Sequence, residues 1–154
     1  IESLYKPYHR ALRRLFGRLH RDHGAAMLID CHSMPSTASS RDERSRPDFV
    51  LGDRYGTSCV GMISETVEQT LRGCGYSVNR NKPYAGGFIT EHYGNPAAGL
   101  HTLQLEINRA LYMNERKRER TAGFARLAAD LETLADRLGD IPLAEIRPYR
   151  AAAE

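Results

Sequence analysis

At 154 residues, with 41% hydrophobic and 27% charged positions, the chain is long enough for one domain with a core of its own. No segment reaches the roughly eighteen consecutive apolar residues of a membrane span, so no membrane partner is expected. A formal charge of +3, from 22 Lys and Arg against 19 Asp and Glu, is too mild to demand a polyanionic partner.

Two basic clusters, at 9–21 and 116–120, are interleaved with apolar residues at helical spacing or with Glu. The chain has no Trp and no aromatic-rich strand of the kind found in RNA-binding sheets. The clusters read as solvated helix faces or as surface meeting another part of the protein, and no nucleic-acid partner is expected. Cys31, Cys59 and Cys74 are odd in number and lack CxxC spacing, which excludes a disulfide framework and a thiolate zinc finger and suggests reduced thiols. Residues 1–14 are charged and amphipathic, without the apolar region of a signal peptide, so a cytoplasmic location is the expectation.

In chain order, Pro7 suits the first turn of a helix in which Tyr8, Leu12, Leu15, Phe16 and Leu19 share a buried stripe until Gly24 ends it. Residues 25–30 are short and apolar, like a buried strand of a parallel sheet. The stretch 36–48, rich in Ser, Arg, Asp and Pro, is a loop of the length that often carries binding residues. Phe49, Val50 and Leu51 form a second strand. Thr57 or Ser58 then caps a helix with Val60, Ile63, Val67 and Leu71 on one face, ending near Gly73 and Gly75. Residues 76–78 are the next strand, and the Gly- and Pro-rich stretch 82–99 is a shaped loop. From 101 to 107, Thr102, Gln104 and Glu106 alternate with Leu103, Leu105 and Ile107, the period of a strand with three polar residues on one face. Thr121 caps a last helix with Phe124, Leu127, Ala128, Leu131, Leu134, Ala135 and Leu138 inward, up to Gly139. This order predicts a single α/β domain over 1–154, built as a three-layer sheet protein.

The chemistry concentrates where the apolar run 25–30 gives way to Asp30, Cys31, His32 and Ser33, because open α/β folds place sites at strand ends. His32 is a candidate metal ligand with Asp30 orienting its other ring nitrogen; the competing reading is a hydrogen-bonded structural histidine. HExxH is absent. Glu106 is a carboxylate in a strand that reads Leu-Gln-Leu-Glu-Ile, costly to bury unless it meets Arg109, a metal-bound water or a substrate proton. Cys31 and His32 make an awkward nucleophile pair, since neighbours on a strand point to opposite faces. Arg46, Arg54 and Arg109 are candidates to hold a substrate carboxylate, with ordinary salt bridges as the alternative.

Four strings, LIDCHSMPS, RPDFVLGDRYGTSC, PYAGGFITEHYGNP and LQLEINRALYM, together resemble the N-formylglutamate amidohydrolase family, from about Tyr5 to the helix around Leu138. The resemblance implies a zinc-dependent hydrolase that cleaves N-formyl-L-glutamate, or a related N-acyl amino acid, to formate and L-glutamate. It implies a three-layer α-β-α sandwich with a mostly parallel sheet, similar to zinc carboxypeptidases. His32 matches the family's last histidine ligand and Glu106 its general base, while Arg54 and Arg109 fall near the substrate site. An upstream PHSG-like segment with a histidine and an acidic ligand has no counterpart here, and zinc needs about three protein ligands. The expectation is therefore a C-terminal part of the enzyme and an incomplete domain. The other zinc ligands would lie upstream, or be replaced by Glu91 and His92. A missing N-terminal segment or a homo-oligomer would cover an exposed face. The competing reading is a non-catalytic truncated lobe that binds a carboxylate ligand or a partner chain.

Overall fold

The computed structural model describes residues 2–36 and 46–148. Helix α1 (Tyr5–His23) is stopped by Gly24, whose φ of +76° and N–H bond to the His20 carbonyl make a left-handed cap. Its buried stripe is rotated from the expected one. His9, Leu12 and Phe16 face the protein, whereas Tyr8, Leu15 and Leu19 remain exposed. The polar tip of His9 makes this possible, because its Nδ1 lies 2.7 Å from the Tyr93 hydroxyl.

Strand β1 (Ala26–Met34) continues four residues past the apolar run. It does so because β4 (Leu100–Asn108) accompanies it in parallel throughout, from Ala26 beside Leu100 to Met34 beside Asn108. The Asp30-to-Ser33 cluster therefore lies within the strand and not in a loop after it. Strand β2 (Phe49–Gly52) runs antiparallel to β4, and β3 (Val78–Arg80) parallel to β2, giving the order β1-β4-β2-β3. Of the loop expected at 36–48, residues 37–45 lie outside the described residues.

Helices cover both faces, so the architecture is an α/β sandwich. On one face, α2 (Gly61–Gly73) and α4 (Gly123–Gly139) bring Ile63, Val67, Leu71, Leu127 and Leu134 onto Phe49, Leu51, Leu103 and Leu105. On the other, α1 and a short helix α3 (Phe88–Tyr93) pack Phe16, Ile89 and Tyr93 over Ala26, Leu28 and Leu100. Helix α3 falls inside the stretch 82–99 expected to be irregular. Its six residues are too few for the 3.6-residue period to stand out among the surrounding glycines. A short hairpin of β5 (Met113–Asn114) and β6 (Glu119–Arg120) holds the second basic cluster at its turn, and α5 (Leu143–Ile146) follows α4.

Candidate active site

The strand period and the β1–β4 register together build the site. Alternation turns Gln104 and Glu106 to the α1/α3 face, and the parallel register sets Asp30 beside Gln104 and His32 beside Glu106. On the other flank of β4, Gly52 stands opposite Gln104 and Val50 opposite Glu106. Four polar side chains thus share one patch toward the C-terminal ends of two parallel strands, the usual place for chemistry in an open α/β sheet.

Glu106 is only 7% exposed. Among the described residues its hydrogen-bond donor is Gln104, whose Nε2 lies 2.9 Å from Oε1. No buried side-chain oxygen or nitrogen among the described residues lacks a partner, so the second carboxylate oxygen reaches solvent. The anticipated alternative, an ion pair with Arg109, is not formed. Arg109 follows the Asn108-capped turn after β4 and donates to the Ser33 hydroxyl at 3.2 Å and the Ser33 carbonyl at 3.4 Å, with Glu115 at 3.8 Å. On β1 the His32 Nε2 lies 3.0 Å from Asp30 Oδ2, and the imidazole is 49% exposed. Cys31, between them in the continuous strand, points to the opposite face.

A loop closes over this patch from the side of β2. Gly52 has no side chain because the loop occupies its place: a Cβ there would lie 2.5 Å from the Gly86 nitrogen. Ala85 accepts the Arg54 N–H at 2.8 Å, and the Gly87 N–H reaches Gln104 Oε1 at 2.7 Å. Beneath, the Asp53 carboxylate accepts from Asn81 Nδ2, the Gly56 N–H and the Ser64 hydroxyl at 2.8, 3.0 and 2.9 Å. Burial pushes Asp53 up, but these hydrogen bonds and the nearby Arg80 outweigh it and hold the carboxyl below its ordinary value. The turn so fixed keeps Arg54 and Tyr55 at φ of +51° and +57°, and places the Arg54 guanidinium 3.5 Å from Glu91. Arg46 donates to the Tyr84 hydroxyl at 2.7 Å on the same loop. His92 is stacked on Phe88 at 4.9 Å.

A family profile for N-formylglutamate amidohydrolases matches residues 1–113. The chain belongs to that family. It is 39% identical over 116 residues to an N-formylglutamate deformylase of Pseudomonas putida, covering 75% of this chain and 43% of that protein. To the Pseudomonas aeruginosa N-formylglutamate deformylase it is 35% identical, covering 75% of this chain and 44% of that one. The crystal structure of N-formylglutamate amidohydrolase from Ralstonia eutropha superposes with a TM-score of 0.86 at 41% identity, over 95% of this chain and 52% of that one. A gene product of Agrobacterium tumefaciens shares the fold, with a TM-score of 0.60 at 18% identity. The chain spans about half the length of the relatives it matches.

Several expectations are corrected by these findings. The chain was expected to correspond to a C-terminal part of the enzyme; the family match covers residues 1–113, and the Ralstonia structure accompanies 95% of this chain with 52% of its own length. The zinc site is also overturned. Among the described residues no group of three or more His, Cys, Asp or Glu side chains is placed to hold a metal ion. The physical reason is local pairing: His32 is turned to Asp30, Glu106 to Gln104, Glu91 to Arg54, and His92 lies against Phe88. The described residues do not by themselves assemble a site for a zinc ion, and the zinc-carboxypeptidase analogy is left without support. No helix among the described residues is long and apolar enough to cross a membrane.

Sequence reasoning singled out Asp30, His32, Glu106 and the three arginines but passed over Gln104 and Asp53. Both were visible. Gln104 is two positions from Glu106 in a period-two strand, and Asp53 precedes Arg54 in the GDRYG string.

Proposed function

We propose that this chain takes part in hydrolysis of the amide bond of N-formyl-L-glutamate, releasing formate and L-glutamate. Family membership supports the substrate class, and the observation that carries the chemistry is Glu106: a nearly buried carboxylate held by one oxygen, with the other open. In this reading the open oxygen takes a proton from the water that attacks the formyl carbonyl. The tetrahedral intermediate then collapses as the C–N bond breaks, and Glu106 returns the proton to the leaving amine. His32 is steadied through Nε2 by Asp30, which leaves Nδ1 as the nitrogen that exchanges a proton with the reacting groups.

The substrate's carboxylates fall to the arginines, whose planar fork suits them. Arg54 is best placed to exchange partners, because its contact with Glu91 is long and Glu91 is 64% exposed, a weakly bound pair that a substrate anion can displace. Arg109, next to His32 through Ser33, and Arg46, on the loop at Tyr84, are the further candidates. A cytoplasmic setting belongs to the same reading, in keeping with three free cysteines.

Formate release from N-formylglutamate by the purified protein tests this. Glu106→Gln is expected to lose about a hundredfold or more in kcat while the protein stays folded by circular dichroism. Wild-type turnover in that variant would overturn the reading.

A further inference from the structure

We propose that Gln104 is a positioning residue for Glu106, holding its carboxylate by one oxygen so that the other is aimed at the reacting water. This rests on the reading of Glu106 as the base.

The argument begins with the direction of the Gln104 amide. The Gly87 N–H can only donate, so the Gln104 atom 2.7 Å from it is the carbonyl oxygen. That leaves the NH2 group facing Glu106 at 2.9 Å. Reversing the amide would set N–H against N–H on one side and oxygen against carboxylate oxygen on the other, so the orientation is fixed from both ends. Burial strengthens both bonds, for Gln104 is only 5% exposed and has no water-facing alternative of comparable quality.

The second support is the origin of the Gly87 N–H. It belongs to the loop that lies on Gly52 in space a side chain would otherwise take, and that is tied to the end of β2 by the bond from Arg54 N–H to Ala85. The loop also carries Tyr84, the hydrogen-bond partner of Arg46, and leads into α3 with Glu91, the partner of Arg54. A relay from Gly87 through Gln104 to Glu106 therefore joins the segment that meets the substrate-binding arginines to the carboxylate that does the chemistry. A glutamine in a strand core is an expensive way to fill space; here both ends of its amide have a use.

Two substitutions test this by steady-state formate release across pH. Gln104→Met keeps the volume but offers no donor to Glu106. It is expected to lower kcat about tenfold or more and leave KM within about twofold. Gln104→Glu keeps an acceptor for Gly87 and can donate to Glu106 only when the pair holds a proton. Its activity should approach wild type at low pH and fall as pH rises, where wild type does not. A Gln104→Met protein with wild-type kcat would overturn the proposal. So would equal losses in both variants with unshifted profiles, the mark of a merely structural role. Glu106→Gln, assayed alongside, separates the two levels. A wild-type protein without turnover, or an active Glu106→Gln, sinks the reading of Glu106 and this inference with it. An inactive Glu106→Gln beside a normal Gln104→Met sinks the inference alone.

Discussion

The His32 imidazole and the Asp30 carboxylate, two residues apart on one face of β1, meet at 3.0 Å, immediately across the parallel register from Glu106 and Gln104. In the proposed reaction each strand thus supplies one proton-handling group and one partner, two residues before it, that orients it. If His32 exchanges protons with the substrate, it needs Asp30 to select which ring nitrogen faces inward. Asp30→Asn is expected to reduce kcat by about tenfold to a hundredfold, and His32→Ala by about a hundredfold or more, with the fold kept. Formate release under saturating substrate checks both. An Asp30→Asn protein at wild-type rate would show that the pair is only a surface contact.

Arg54 makes a separate prediction about binding. Its guanidinium sits 3.5 Å from an exposed Glu91, the weak pair that the proposed reading has a substrate carboxylate displace. Arg54→Ala is expected to raise KM for N-formylglutamate about tenfold to a hundredfold, the size of a charge-assisted hydrogen bond of roughly 1.5–3 kcal/mol, with kcat changed less. Glu91→Gln should leave KM equal or lower, since it releases Arg54. An unchanged KM in Arg54→Ala would assign the carboxylate to Arg109 or Arg46.

The fold was legible wherever a single period ran long enough to bury one face. The two long surface helices, the buried strand at 49–51 and the alternating strand at 101–107 all appear where periodicity places them. What escaped depended on partners distant in sequence. The continuation of β1 through Asp30 to Met34 is imposed by pairing with β4, and no local propensity of a polar cluster announces it. The rotation of α1 has the same origin, because His9 turns inward only where Tyr93 meets it. In the site, residue types pointed to His32 and Glu106, and the zinc expectation placed the remaining ligands upstream or on Glu91 and His92. The structure instead distributes Glu91 and His92 to Arg54 and Phe88.

Gly52 tests the coupling between the loop and the sheet. A methyl group there would meet the Gly86 nitrogen at 2.5 Å and the Ala85 carbonyl carbon at 2.8 Å, both backbone atoms that cannot rotate away. Gly52→Ala is expected to destabilise the protein by about 1–3 kcal/mol, as overpacking does. It should also depress kcat by lifting Gly87 off Gln104. Urea unfolding and formate release, measured together, check the prediction. A variant of full stability and full activity would mean that the loop moves aside without consequence.

The buried His101 predicts a pH dependence of stability above the acid range. Its ring is fully buried, and because the Ile146 carbonyl can only accept, Nε2 at 2.7 Å is the protonated nitrogen and Nδ1 receives the Val60 N–H at 3.4 Å. Burial lowers its pKa, more than the hydrogen bond to Ile146 raises it, to below the ordinary 6.5. Below pH 6.5 the unfolded chain takes up this proton while the folded chain resists it, so the unfolded state binds more protons and stability falls as pH falls. The contribution is fully present above pH 6.5 and is lost on going below it, with a slope of at most about 1.4 kcal/mol per pH unit. Asp53, held below its ordinary 3.8, has the same sign, but its contribution is lost only at pH values below that, so the two windows separate. Urea unfolding between pH 7.5 and 5 should show falling stability in the wild type and a flatter dependence in His101→Gln, which cannot titrate. Identical slopes in the two proteins would remove His101 from this role.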